Sequence, residues 1–152
     1  ADRGDLDGFA GDETERPRLF SAQFLQPVRY AVGGGRSELE LAGRLGRGKN
    51  GFACSMSLVG EEREPTVRLA IAIDNRHRDH RLRARFLGVP PALLAHECTD
   101  VREVVENDAG GFVAFTLVRA VGALAVDGGA VATPSAQCPG PIEHVFRLGT
   151  TG

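Results

Sequence analysis

Tryptophan is absent from this sequence of 152 residues, which holds one tyrosine, one methionine and three cysteines. Cys54, Cys98 and Cys138 are an odd number with no close spacing, which argues against a secreted disulfide scaffold and for free thiols in a reducing compartment. No uninterrupted apolar run reaches the roughly 18 to 20 residues of a membrane span. The opening Ala1-Asp2-Arg3-Gly4-Asp5 lacks the basic and apolar regions of a signal peptide. The expectation is a soluble protein of the cytoplasm. An excess of charge of either sign is missing too: 18 basic residues face 20 acidic ones, so no global field draws the chain to nucleic acid or an anionic membrane. A chain that opens on Ala1 rather than Met is compatible with an excised piece.

What the sequence has in quantity is turns. Twenty glycines and eight prolines cut it into short apolar segments with a period of two. Residues 1 to 17, acidic, glycine-rich and closed by Pro17, read as an extended lead-in, and 18 to 152 as one domain. Within it Leu19 to Leu25 and Val28, Tyr30 and Val32 form short strands, the second stopped by Gly33-Gly34-Gly35. Leu39, Leu41 and Leu45 form another, with Phe52 to Val59 returning as its partner across the glycine-rich turn at Gly46 to Gly51. Ala92 to Asn107 is ambiguous and admits a short helix. Phe112 to Val118 is apolar on both sides apart from Thr116, as an interior strand requires. Ile142 to Leu148 is the last candidate strand. The pattern predicts an all-β fold, a β-sandwich of antiparallel strands.

The most ordered stretch lies in the middle. Val67, Leu69, Ile71 and Ile73 recur every second residue, and Leu82, Ala84 and Phe86 resume the period after the polar link Asp74-Asn75-Arg76-His77-Arg78-Asp79. This reads as a β-hairpin with Asp79, His80 and Arg81 fixing its turn. Alternation places Arg81, Arg83 and Arg85 on the face opposite the apolar one.

Five arginines between Arg76 and Arg85 could grip phosphates. The only aromatic nearby, Phe86, is sent inward, so no base-stacking platform accompanies them and nucleic acid is not expected. Their simplest use is pairing with Glu38, Glu40 or the Glu61-Glu62-Arg63-Glu64 turn. His77-x-x-His80 with His96-Glu97-Cys98 supplies four donors of the types zinc takes, but they sit on separate turns amid repelling arginines, so no metal is expected. Cys138 and His144 lack a recognisable third group for a thiol–base pair. Paired carboxylates for glycoside hydrolysis could be drawn only from the lead-in, among Asp2, Asp5, Asp7, Asp12 and Glu13, where an acidic solvated tail is an equal explanation.

Three segments carry a resemblance. Ile73-Asp74-Asn75-Arg76-His77-Arg78-Asp79-His80-Arg81-Leu82-Arg83 resembles the Asp-Asn-Arg-x-x-Asp-His-Arg-Leu-Arg segment in the carboxy-terminal β-rich region of glycoside hydrolase family 38 α-mannosidases, particularly the bacterial type. Phe115 to Gly122 is similar to that region's Thr-Leu-Leu-Arg-x-Val-Gly strand, and Thr133-Pro134-Ser135-Ala136-Gln137-Cys138 to its Thr-Pro-x-Ala-Gln-Cys stretch. Ala1 to Asp5 is similar to the acidic Gly-Asp entry into the same region. Two departures stand out: Asp7 occupies a place where the family tends to carry tyrosine, and the interval from Phe86 to Phe112 is shorter than the family's.

The resemblance implies a non-catalytic β-domain that supports a catalytic domain of the same enzyme. That catalytic domain would hold the zinc and the nucleophile of an α-mannosidase, so no cofactor is expected in this chain. It makes Asp5 and Asp7 the residues nearest sugar, a mannoside or other carbohydrate. A stand-alone carbohydrate-binding module is the alternative; it needs an exposed aromatic platform, for which Tyr30 is the one polar aromatic. If the chain is an excised domain, an apolar surface left by its missing partner would favour a homo-oligomer.

Overall fold

The computed structural model describes residues 25–45, 51–97, 103–105, 111–126 and 129–149. The described residues form eleven strands and two short 3-10 helices, with no α-helix, as the alternation requires. The chain begins as a meander of β1 (Gln26–Gly33), β2 (Arg36–Leu45), β3 (Phe52–Glu61) and β4 (Thr66–Asn75), each antiparallel to the one before. Gly34 and Gly35 at φ of 60° and 76° make the tight β1–β2 turn, a conformation that side chains with a Cβ resist. β2 and β3 pair over their whole length, from Arg36 opposite Glu61 to Leu45 opposite Phe52.

β4 does not fold back on β5 (His80–Leu87). The strand beside β4 is β11 (Gly140–Gly149), which pairs with all ten of its residues, and β6 (Leu94–His96) adds beyond β11. The large sheet therefore runs β1-β2-β3-β4-β11-β6. β5 pairs instead with β8 (Phe112–Ala120), whose other side takes β7 (Glu103–Val105). β9 (Ala123–Val126) and β10 (Gly129–Ala132) form a separate two-stranded ribbon. The hairpin expected between Val67 and Phe86 is thus a crossing between sheets. Alternation reports which face of a strand is apolar but not which strand lies beside it. Leu69, Ile71 and Ile73 meet Leu82, Ala84 and Phe86 across the core instead of lying next to them.

That core fills the space between the large sheet and the β5-β8-β7 sheet, giving the expected sandwich. Phe115 and Phe146, both almost fully buried, sit at its centre with ring centroids 5.3 Å apart, and Phe86 and His96 pack around them. β8 is the deep strand its composition predicts: Val113, Ala114, Phe115, Leu117, Val118 and Ala120 are buried. The ambiguous segment after Pro90 holds one turn of 3-10 helix, Pro91–Leu93, before β6. The lead-in and all of the expected strand Leu19 to Leu25 but its last residue lie outside the described residues, and Leu25 is buried.

Candidate functional site

The three segments that carry the resemblance are separate in sequence and meet at one place, where β4 crosses to β5. Asn75 ends β4 fully buried. Its Nδ2 donates to the carbonyl oxygens of Gln137 and Cys138 at 3.2 and 2.8 Å, and its Oδ1 accepts from the backbone N–H of His77 at 3.1 Å. A side-chain amide, with two N–H donors and a carbonyl acceptor, can satisfy two carbonyls and an N–H at once. Gln137, in the 3-10 helix Pro134–Gln137, reciprocates: its Nε2 donates to Asp79 Oδ1 at 2.8 Å and its Oε1 accepts from the Asp79 N–H at 2.9 Å.

Asp79 holds a left-handed backbone, φ 51°, which aspartate tolerates better than most residues. The residue above it must be glycine: a Cβ on Gly122 would stand 2.5 Å from Asp79 Oδ1 and 3.1 Å from Gln137 Nε2. Thr133 closes the knot, its N–H donating to the Gly122 carbonyl at 2.8 Å and its hydroxyl to the Val121 carbonyl at 3.0 Å. Val121 N–H in turn donates to Ala136 O at 3.1 Å.

The other two residues named for the turn lie at its edge. Arg81 donates from Nε and a terminal nitrogen to Thr116 Oγ1 at 3.0 and 2.8 Å, tying β5 to β8. His80 packs on Phe52 and His77, with ring centroids 5.5 and 6.0 Å away, and both its ring nitrogens are buried without a hydrogen-bond partner. Burial lowers its pKa. The Arg78 backbone and the Asp79 carboxylate push the other way, and the neighbouring His77 lowers it further. Asp79, His80 and Arg81 therefore lie at a crossing between sheets, not in a hairpin turn. Asp5 and Asp7 lie outside the described residues.

A second polar bridge joins the sheets through histidines. His144 Nε2 lies 2.7 Å from the Leu117 carbonyl, which can only accept, so that nitrogen carries the proton and Nδ1 accepts from His96 Nε2 at 2.8 Å. Leu117 is the bulged residue of β8: Leu82 opposes Val118 and Arg83 opposes Thr116, so Leu117 is skipped. Burial, the adjacent His144 and, against them, Glu97 together lower the His96 pKa. Both nitrogens of His144 are engaged, which removes it as a base for Cys138.

Among the described residues no group of three or more His, Cys, Asp or Glu could hold a metal, and Cys98 lies outside them. The described side chains do not fit a zinc ion. Of the carboxylates expected to meet the arginine cluster, Glu38 and Glu61 lie near Arg36 and Glu40 near Arg29, on the large sheet. Arg85 instead lies over the Phe112 ring at 4.6 Å. A shallow groove of about 250 Å³ on the outer face of the large sheet is lined by Arg36, Glu61, Glu64, Thr66, Arg68 and Arg147. It holds charges of both signs, with Arg68 and Arg147 shared by Glu97.

No family model matches the sequence and no curated protein matches it. The comparison of structures does give a match. An α-mannosidase from Enterococcus faecalis V583 superposes on 84% of this chain with a TM-score of 0.58 and 15% identity, using 22% of its own length. The chain has the fold of part of an α-mannosidase. A second structure from Enterococcus faecalis, a protein in glycosyl hydrolase family 38, gives a TM-score of 0.59 and 16% identity over 84% of this chain and 23% of its own. The chain spans less than a quarter of the length of either protein. The knot around Asn75, Asp79 and Gln137 is the part of this α-mannosidase-like fold that periodicity did not reveal. Asn75 and Gln137 stand 62 positions apart, and no spacing rule links an amide to a distant carbonyl.

Proposed function

We propose that this chain is the non-catalytic β-domain of a zinc-dependent α-mannosidase-like glycoside hydrolase, supporting a catalytic domain that holds the zinc and the reacting carboxylates. The observation that carries this reading is the convergence of the three resembling segments in one hydrogen-bonded crossing, on a fold matched by less than a quarter of each α-mannosidase-type structure. Residues of that crossing are consumed by one another: Asp79 by Gln137, Asn75 by two carbonyls. Their chemistry is positioning, which suits a supporting role.

The test is hydrolysis of a chromogenic α-mannoside, with and without added zinc, by this chain alone and by any longer product of the same gene. Activity confined to the longer product is expected; turnover by the 152-residue chain would overturn the reading and return attention to Asp5 and Asp7.

One observation favours the alternative of a carbohydrate-binding module: Tyr30 is 73% exposed. With no tryptophan and no other tyrosine, the intrinsic fluorescence of the chain reports Tyr30 alone. A saturable change on titration with a manno-oligosaccharide would support that reading.

A further inference from the structure

We propose that β1 pairs with β1 of a second copy of this chain, antiparallel and centred on Tyr30, joining two large sheets edge to edge. This goes beyond the supporting role proposed above and does not depend on it. Among the described residues β1 is the outermost strand of its sheet. Val28, Tyr30 and Val32 are exposed at 62%, 73% and 64%, so three of the five large exposed apolar side chains among the described residues fall on this one strand. An exposed apolar edge strand is a template for another strand, and soluble proteins ordinarily blunt such an edge with charge.

The partner is identified by the sequence of the strand. Val28-Arg29-Tyr30-Ala31-Val32 complements itself when reversed about Tyr30: Val28 then faces Val32 of the other copy, Tyr30 faces its own counterpart, and Arg29 faces Ala31. Val28, Tyr30 and Val32 each meet an apolar residue, Arg29 meets Ala31, and no like charges are opposed, which is the condition cross-strand pairs impose. Arg29 keeps its own partner, Glu40, 3.9 Å away on β2. A single self-facing patch on both copies is the arrangement a closed two-fold dimer needs.

Backbone geometry gives the same register. The two-residue turn at Gly34 and Gly35 closes on the opposed pair Gly33 and Arg36. Such a turn is hydrogen-bonded between those two residues, and bonded pairs alternate along an antiparallel ladder. Tyr30 and Val32, opposed to Leu39 and Ser37, fall on the unbonded positions and turn their N–H and C=O groups away from β2, to the side where no described strand lies. In a ladder centred on Tyr30 these are the groups that bond across the two-fold. Its length is limited at one end by the turn and at the other by Val28, the residue that the bulge between Pro27 and Arg29 leaves without an opposite on β2 and that therefore ends the ladder opposite Val32, and by Pro27, which lacks an N–H.

The experiment is sedimentation of the full chain over a range of concentration, beside Tyr30→Lys and a control, Leu87→Lys, which places the same charge on a 75% exposed residue of the other sheet. The expected result is a dimer for the wild type and the control and a monomer with unchanged circular dichroism for Tyr30→Lys. A wild-type monomer at the highest soluble concentration, or a dimer indifferent to Tyr30→Lys, overturns the proposal.

Register is read by disulfide trapping under mild oxidant in a background of Cys98→Ser and Cys138→Ser. Tyr30→Cys, facing itself at the roughly 5.5 Å Cα separation of a bonded pair, forms a covalent dimer. Ala31→Cys, facing Arg29, does not, and the reverse pattern overturns the centring on Tyr30. Failure of the mannosidase reading leaves these outcomes untouched, because none of them measures hydrolysis.

Discussion

The crossing from β4 to β5 and the free edge at β1 invert the ordinary distribution of polar and apolar groups. At the crossing, polar side chains are buried: Asn75 at 0% exposure and Gln137 at 8%. At the edge, apolar ones are out in solvent, Tyr30 among them. The first arrangement is stable because the amides of Asn75 and Gln137 have found partners, so the cost of burying them is offset inside the molecule. The second leaves its apolar surface and its backbone edge with no partner among the described residues. A buried polar network specifies how one chain must fold, whereas an exposed apolar strand specifies what that chain can meet. The crossing is therefore where substitutions should act on folding, and the edge where they should act on association.

The largest effect is expected at Asn75. Asn75→Leu keeps the size of the side chain and strands the Gln137 and Cys138 carbonyls and the His77 N–H. Unsatisfied buried groups cost about 1 to 3 kcal/mol each, and partial repair by water leaves a net loss of about 3 kcal/mol. For a chain of this size that corresponds to a fall in Tm of roughly 6 to 12 °C. Thermal unfolding followed by circular dichroism measures it. A fall of less than a degree or two would show that the knot is ornament on a fold held by Phe115, Phe146 and their neighbours alone.

The two regions also differ in how far the sequence exposes them. The all-β class, the β2–β3 pair, the buried β8 and the face on which Leu69, Ile71 and Ile73 lie were all legible, because burial of one face imposes a period of two. The hairpin was not, since Leu82 to Phe86 carries the same period whether it pairs with β4 or faces it across a core. The knot was legible only as words that resemble a family: Asp79 and Arg81 were recognisable as fixed points of a turn. Asn75 and Gln137 join through backbone carbonyls, which carry no sequence signature. The His96–His144 bridge is hidden for a related reason. It depends on the Leu117 carbonyl that a bulge sets free, and nothing in Thr116-Leu117-Val118 announces a bulge.

An intermediate effect is expected from His80, whose ring nitrogens are buried and, among the described residues, unmatched. Its folded pKa lies below the ordinary value of 6.5, as does that of His96. As pH falls through the unfolded value the unfolded chain takes up protons that the folded chain refuses, so stability is fully present above about 6.5 and declines below it. Tm should therefore drop between pH 7 and pH 5. His80→Phe keeps the ring against Phe52, removes the unmatched nitrogens and should raise Tm at pH 7 by roughly 2 to 4 °C, about 1 kcal/mol. It should also lessen the acid decline, leaving the part due to His96. A lower Tm for His80→Phe would mean that the ring nitrogens are satisfied in solution.

The smallest effect on folding, and the sharpest test of the contrast, is expected at the edge. Tyr30→Thr retains strand propensity and removes an exposed ring, so in dilute solution it should change stability by less than about 0.5 kcal/mol. Concentration separates the regions further. A contact made only by folded copies stabilises them by mass action, so the wild-type Tm should climb with protein concentration. Tyr30→Thr should flatten that climb, while Asn75→Leu should lower Tm by nearly the same amount at every concentration. The two behaviours are independent because the crossing is satisfied within one chain and the edge is completed by another. A Tyr30→Thr protein already destabilised when dilute would place the edge among the determinants of the fold and erase the distinction.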